Sequence, residues 1–251
     1  MFTSRGVRSQ RTRLRRAVGR PPPDSMPANL LSCLLLSSKS ASVPKTALAT
    51  TSLGTLRGAL KPLAREWLRV PFAEPPLGSH RWSPPVPKLP WQGVLDATAF
   101  GPGCPQPDNG FWPPVSNTSE DCLSMAIYAP PEQDRVALDP VLVYFHGGSF
   151  SNGGAEDPRT NASRLVASYG GRVVVAVVQY RLGVLGFLGG DALRGRGGDA
   201  STGNYGLQDQ REGLRFLRQH AAAFGGDPAT ITIAGQSAGA GLVSVHVVSS
   251  R

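Results

Sequence analysis

Residues 231–239, ITIAGQSAG, alternate apolar and small side chains and then break into a serine flanked by glycines. Alternation of this kind predicts a strand, and the following AGAGLVSVHVV (238–248) reads as a helix. A serine on a tight strand-to-helix turn is held out of the sheet, and small residues on either side let the backbone pass close to its neighbours. The helix adds its N-terminal dipole, which favours negative charge developing near the serine. Gly235, Gln236, Ser237, Ala238 and Gly239 fit this G-x-S-x-G arrangement, which makes Ser237 a candidate nucleophile. The pattern is short enough to arise by chance as a plain turn with a solvated serine, so its weight depends on the chain before it.

Upstream, PVLVYFHGG (140–148) and RVVVAVVQYRLG (172–183) are short apolar runs rich in β-branched residues, each closed by a turn signal. Such runs predict strands buried on both faces of a sheet. NYGLQDQREGLRFLRQHAAAF (204–224) predicts a helix with Leu207, Leu214, Phe216 and Leu217 facing inward, stopped by Gly225, Gly226 and Pro228. TSLGTLRGAL (51–60) predicts a small hairpin about Gly54. The prolines of VPFAEPPLGSHRWSPPVPKLPW (70–91) predict an extended surface wrap. Strands alternating with helices imply an α/β fold with a mostly parallel central sheet and flanking helices. Within that order, YFHGGSF (144–150) sets two glycines and a small residue just after a buried strand, where backbone amides can face an oxyanion. The two glycine-rich turns, each following a strand, point together to a hydrolase site.

The formal charge of +9 is misleading, because residues 1–20 hold seven arginines and no acid. The remaining 231 residues carry 19 basic and 17 acidic side chains and are close to neutral. This removes the argument for a nucleic-acid partner, which needs basic residues clustered on the folded body. Residues 1–45 read as a basic, Ser- and Pro-rich leader with several readings open. Its arginines resemble an organelle transit peptide, NLLSCLLL after Met26 resembles a secretory h-region, and a solvated arm fits the same composition. The apolar stretch is too short to span a bilayer. No metal-ligand cluster and no complete phosphate-binding loop appears, so no cofactor is expected.

The segments VPFAEPPLGSHRW, SEDCLSMAIYAP, VLVYFHGGSF, VVQYRLGVLGFL, GNYGLQDQ and FGGDPATITIAGQSAG, in this order, resemble the type B carboxylesterase family, the cholinesterase-like branch of the α/β-hydrolase fold. The resemblance runs from about residue 51 to the end. It implies a serine carboxylic-ester hydrolase acting on a small-molecule ester, with Ser237 forming the acyl-enzyme and the backbone amides of Gly148, Ser149 and Ala238 forming the oxyanion hole. It also implies a Cys104–Cys122 disulfide, worth on the order of 3 kcal/mol for a loop of this length, which leaves Cys33 in the leader. Arg81 and Glu120 match positions that form a buried structural ion pair in the family. The triplets Asn117-Thr118-Ser119 and Asn161-Ala162-Ser163 fit N-glycosylation, and with the disulfide they favour a secretory route. Two residues depart from the pattern: Arg69 stands where glycine is usual, and Gln236 where the elbow commonly has glutamate. Noncatalytic adhesion or prohormone modules of the same type form the alternative class, although these typically lack the elbow serine.

A serine needs a histidine to take its proton and a carboxylate to orient that histidine, in the chain order Ser, acid, His for this fold. Fourteen residues follow Ser237, and none is acidic. His246 lies nine positions along the expected helix, about 13 Å away at 1.5 Å per residue, and reads as a packing residue. His146 belongs to the oxyanion turn, His220 to a helix and His80 to the proline-rich wrap. The expectation is therefore half of a site: residues 46–251 as the N-terminal portion of a longer carboxylesterase domain, inactive alone, with one edge of the elbow strand unpaired.

Overall fold

The computed structural model describes residues 46–108, 115, 117–131, 136–194, 196 and 201–249. The leader, including Cys33, lies outside them. The hairpin about Gly54 is present: Thr46–Thr50 (β1) and Thr55–Leu60 (β2) pair antiparallel, with Thr50 opposite Thr55. Arg65–Pro71 (β3) follows, antiparallel to β2 at Ala59 and Leu60. Val94–Asp96 (β4) runs parallel to β2 at Thr55–Arg57. Between β3 and β4 the proline-rich chain is extended, held by an Ala73–Pro87 bridge and interrupted by the single 3₁₀ turn Gly78–His80.

Ser124–Ala129 (β5), Asp139–Phe145 (β6), Val174–Val178 (β7) and Gly226–Gly235 (β8) complete the sheet, in the order β1-β2-β3-β5-β7-β6-β8 with β4 beside β2. The sheet is mixed, where the sequence suggested a mostly parallel one. Parallel pairing is confined to β7-β6-β8 and to the short β2–β4 contact; β1-β2-β3-β5-β7 are antiparallel. The reason lies in the connections. Tight links such as the four residues between β1 and β2 reverse the chain, whereas parallel neighbours need a crossover long enough to hold a helix.

Those crossovers carry Ser163–Ser168 (α1) between β6 and β7, then Gly183–Phe187 (α2) and Tyr205–His220 (α3) between β7 and β8. Ala238–Val248 (α4) follows β8. Alternation along the strands divides the core. Val141, Val143, Phe145, Val174, Ala176 and Val178 belong to the larger cluster with Leu207, Phe216, Leu217 and Leu242 of α3 and α4. Val175, Val177, Ala126 and Tyr128 join Val166 of α1 in the other. β7 is buried throughout, whereas Leu142 and Tyr144 of β6 are only half-buried. Leu214 is half-buried against the larger cluster, and Gly225, at φ 89°, caps the turn that ends the α3 segment as its sequence suggested.

One buried ion pair joins β7's extension to α3. Arg181 donates through Nε and Nη2 to the two carboxylate oxygens of Asp209, at 2.8 and 2.7 Å, and its backbone N–H donates to Oδ2 at 2.9 Å. Both side chains are 3% exposed or less. Breaking a buried pair leaves an uncompensated charge, which costs about 3–5 kcal/mol, whereas removing both charges is often neutral. Asp209→Ala should therefore lower the urea-unfolding free energy of the chain by roughly that amount, and the double replacement Arg181→Met, Asp209→Leu should restore most of it. A single-variant loss below about 1 kcal/mol would show that the pair is not desolvated.

Candidate active site

β6 lies at the point where the chain changes direction across the sheet, with β7 added on one side and β8 on the other. In open α/β sheets the crevice beyond the carboxyl ends of strands at such a switch point is the usual binding site. The register places Phe145, the last residue of β6, opposite Gly235, the last of β8. The two glycine-rich turns, His146–Phe150 and Gln236–Ala238, therefore leave the sheet side by side.

Ser237 has φ 53° and ψ −121°, a conformation that L residues avoid, and it is exposed at the N-cap of α4. This strained strand-to-helix geometry is that of a nucleophile elbow. It fits only because neighbouring residues lack side chains. A Cβ on Gly239 would lie 2.1 Å from the Phe145 carbonyl oxygen, and one on Gly147 would lie 2.2 Å from Gln236 Oε1 and 2.7 Å from its carbonyl oxygen. Gly147 is thus pressed against the elbow, with the Ser237 Cβ 3.1 Å from the same position.

Beyond Gly147 the chain turns through three positive φ values, 122° at Gly148, 54° at Ser149 and 59° at Phe150. The Gly148 carbonyl closes this turn by accepting from the backbone amides of Ser151 and Asn152, each at 2.9 Å. Among the described residues, the amides of Gly148, Ser149 and Ala238 have no acceptor. Three unspent donors thus lie in the two turns that meet at an exposed serine hydroxyl, with the N-terminus of α4 adding its partial positive charge.

The return of this turn is clamped by the disulfide loop, a contact that the sequence gave no signal for. Cys104 and Cys122 are bonded. Two residues after Cys104, Gln106 donates through Nε2 to the Gly153 carbonyl and accepts from the Gly153 amide, both at 2.9 Å. Asn152 Nδ2 donates to the Pro107 carbonyl at 2.8 Å. Gln179 anchors the other side, donating to the carbonyls of Cys122 and Pro102 at 3.2 Å.

None of the four histidines hydrogen-bonds to Ser237. His146 is buried at the start of the turn after β6, stacked on Tyr180 at 4.4 Å, and its Nδ1–H donates to the Gly147 carbonyl at 2.9 Å. Tyr180 in turn donates to the His146 carbonyl at 2.6 Å. His246 lies on α4, where its Nε2 meets Gln210 Oε1 at 2.8 Å and its ring packs on Phe145. His220 packs on Phe216 at the end of α3, and His80 sits in the exposed 3₁₀ turn of the wrap.

Arg81 donates bidentately to Glu120, through Nε at 2.7 Å and through Nη2, but the pair is not buried: Arg81 is 41% exposed and Glu120 20%. It follows the 3₁₀ turn Gly78–His80, whose residues all lie at the surface. Among the described residues, the ion pair with both side chains buried is Arg181–Asp209. Its sequence signal is one charge of each sign inside the otherwise uncharged segments VVQYRLGVLGFL and GNYGLQDQ. Arg69 lies in the irregular part of β3, packs along Gly101 and makes a half-exposed contact with Asp121 at 3.5 Å. Gln236 is exposed.

The carboxylesterase family model matches residues 45–251. The chain belongs to the carboxylesterase family. This family member is 40% identical over 223 residues to carboxylesterase 4A of Bos taurus, covering 82% of this chain and 38% of that protein. It is 37% identical over 242 residues to neuroligin-2 of Homo sapiens, covering 79% of this chain and 28% of that protein. The solved structure of a thermophilic PNB esterase superposes with a TM-score of 0.71 at 35% identity, covering 80% of this chain and 40% of that one, so the fold is that of the α/β-hydrolases. The carboxylesterase-family chain thus spans well under half the length of these relatives.

Burial lowers the His146 imidazole to about 4, and burial together with Arg211 lowers that of His246 to about 4. An unfolded histidine titrates near 6.5. Between these values the unfolded state binds more protons, so stability present above pH 6.5 falls as pH drops toward 4. His246→Gln, which removes one of three histidines that burial lowers, His220 being the third, should flatten the dependence of the urea midpoint on pH between 6.5 and 4. An unchanged slope would show that the folded imidazole is not depressed.

Proposed function

We propose that the protein is a serine carboxylic-ester hydrolase with Ser237 as nucleophile. The observation that carries this reading is the meeting of a strained, exposed serine with the unpaired amides of Gly148, Ser149 and Ala238. Ser237 Oγ would attack the ester carbonyl carbon while those amides hold the oxyanion. Collapse of the tetrahedral adduct would expel the alcohol, which takes the serine proton, and water would later release the acid. The base and its acid partner come from outside the described residues, since each of the four histidines is placed elsewhere. The disulfide and the two sequons support a secretory route.

Two experiments test this. The protein isolated from expressing cells should react with an organophosphonate ester probe at Ser237, and Ser237→Ala should abolish labelling. A folded protein that stays unlabelled would instead be a noncatalytic interaction module, the alternative its likeness to neuroligin-2 leaves standing. Ester turnover by the 251-residue chain alone would overturn the external origin of the base.

In the active protein Gln106 acts as a positioning residue, because its side-chain amide holds Gly153 at the end of the turn that bears Gly148 and Ser149. Gln106→Ala should lower kcat by about 10–100-fold with little change in KM, as expected when donors to a developing oxyanion are displaced. A lowered Tm with unchanged kcat would make the residue structural only.

A further inference from the structure

The two sequons differ in their surroundings. Asn117 lies within the loop closed by Cys104 and Cys122, where its carbonyl accepts from the Gly103 amide and Thr118 bridges to Gly103. Asn161 follows the 3₁₀ turn Pro158–Thr160, immediately before α1, and is exposed. Its Oδ1 accepts from the Ser163 amide at 3.0 Å, which leaves Nδ2 without a partner among the described residues. Nδ2 is the atom that N-glycosylation modifies, and a glycosylated amide keeps its carbonyl oxygen, so the Oδ1 contact survives.

Asn161 also borders an open groove of about 750 Å³, lined by Lys61, Pro62, Leu63, Glu66, Pro158 and Arg164. That volume is in the range of small-molecule sites. Leu63, 43% exposed, and the two prolines offer apolar surface to the carbon face of a sugar ring. Lys61 and Arg164 offer donors to its hydroxyls.

We propose that Asn161 carries an N-linked glycan whose first sugars lie in this groove. Nδ2 attacks the anomeric carbon of a lipid-pyrophosphate-linked oligosaccharide, losing a proton, and the bond from that carbon to the pyrophosphate oxygen breaks. Timing is set by Ser163. Its hydroxyl is required by the transferase, yet in the folded chain it is buried and donates to Glu66 Oε1 at 2.7 Å. Transfer therefore precedes the packing of α1 against β3. The proposal rests on the secretory route and not on ester hydrolysis, so an inactive protein leaves it standing.

The test is expression of the chain with its own N-terminus in cultured mammalian cells, followed by peptide mass analysis and enzymatic deglycosylation with an amidase. The expected result is conversion of Asn161 to aspartate on deglycosylation, with a gel shift that Asn161→Asp removes; that variant keeps the oxygen which accepts from Ser163. Release of the glycan should be about tenfold slower from native than from denatured protein, the factor that a modest docking free energy confers, and Leu63→Ser should narrow the gap. Unmodified Asn161, with or without the disulfide formed, would overturn the site. Equal release rates from native and denatured protein would overturn its seat in the groove.

Discussion

The geometry of this molecule depends on how closely two backbones approach at the end of β6 and β8. Parallel pairing brings Phe145 level with Gly235, and the chains then leave the sheet so near each other that neither Gly147 nor Gly239 has room for a Cβ. Contact at that range forces the following residues into positive φ: Gly148 to Phe150 on one side, Ser237 on the other. Strain of about 1–3 kcal/mol per residue persists only where the surroundings over-determine it. Here they do so through the stacked His146 and Tyr180 below and the Gln106 clamp at the return of the turn.

Much of this was legible in the sequence because it rests on local signals. The hairpin about Gly54, the apolar β6 and β7, the amphipathic α3 with its glycine stop and the elbow itself follow from periodicity and turn chemistry, which act over a few residues. Strand direction was less legible. Whether β3 or β5 runs with or against its neighbours depends on which strand it meets, and composition carries little of that information. The exposure of Arg81 and Glu120 depends likewise on what covers them, a property of the assembled surface. Gln106 gave no sign at all, since a glutamine near a cysteine looks like any other loop residue until the opposing Gly153 is known.

Two buried groups near the site avoid an unmatched charge in different ways. Arg181 and Asp209 do so by bidentate pairing, with the guanidinium also 5.4 Å from the Tyr205 ring. His146 does so by staying neutral, its single ring proton committed to the Gly147 carbonyl. The neutral, hydrogen-bonded ring leaves the backbone amides as the local source of positive potential on the turn.

The order of strands also bears on the time course of assembly. β1 and β2 meet across four intervening residues, and the disulfide spans a sequence separation of 18, so the β1–β2 hairpin and the disulfide loop can form from contacts made early. β6 has no such neighbour. Phe145 pairs with Val178 and with Gly235, 33 and 90 residues further on, and contacts of that separation are slow to close. The turn after β6 and its Gln106 clamp precede Ser237 in the sequence. The close approach of Gly147 to the Ser237 turn is therefore made only when β8 has joined β6.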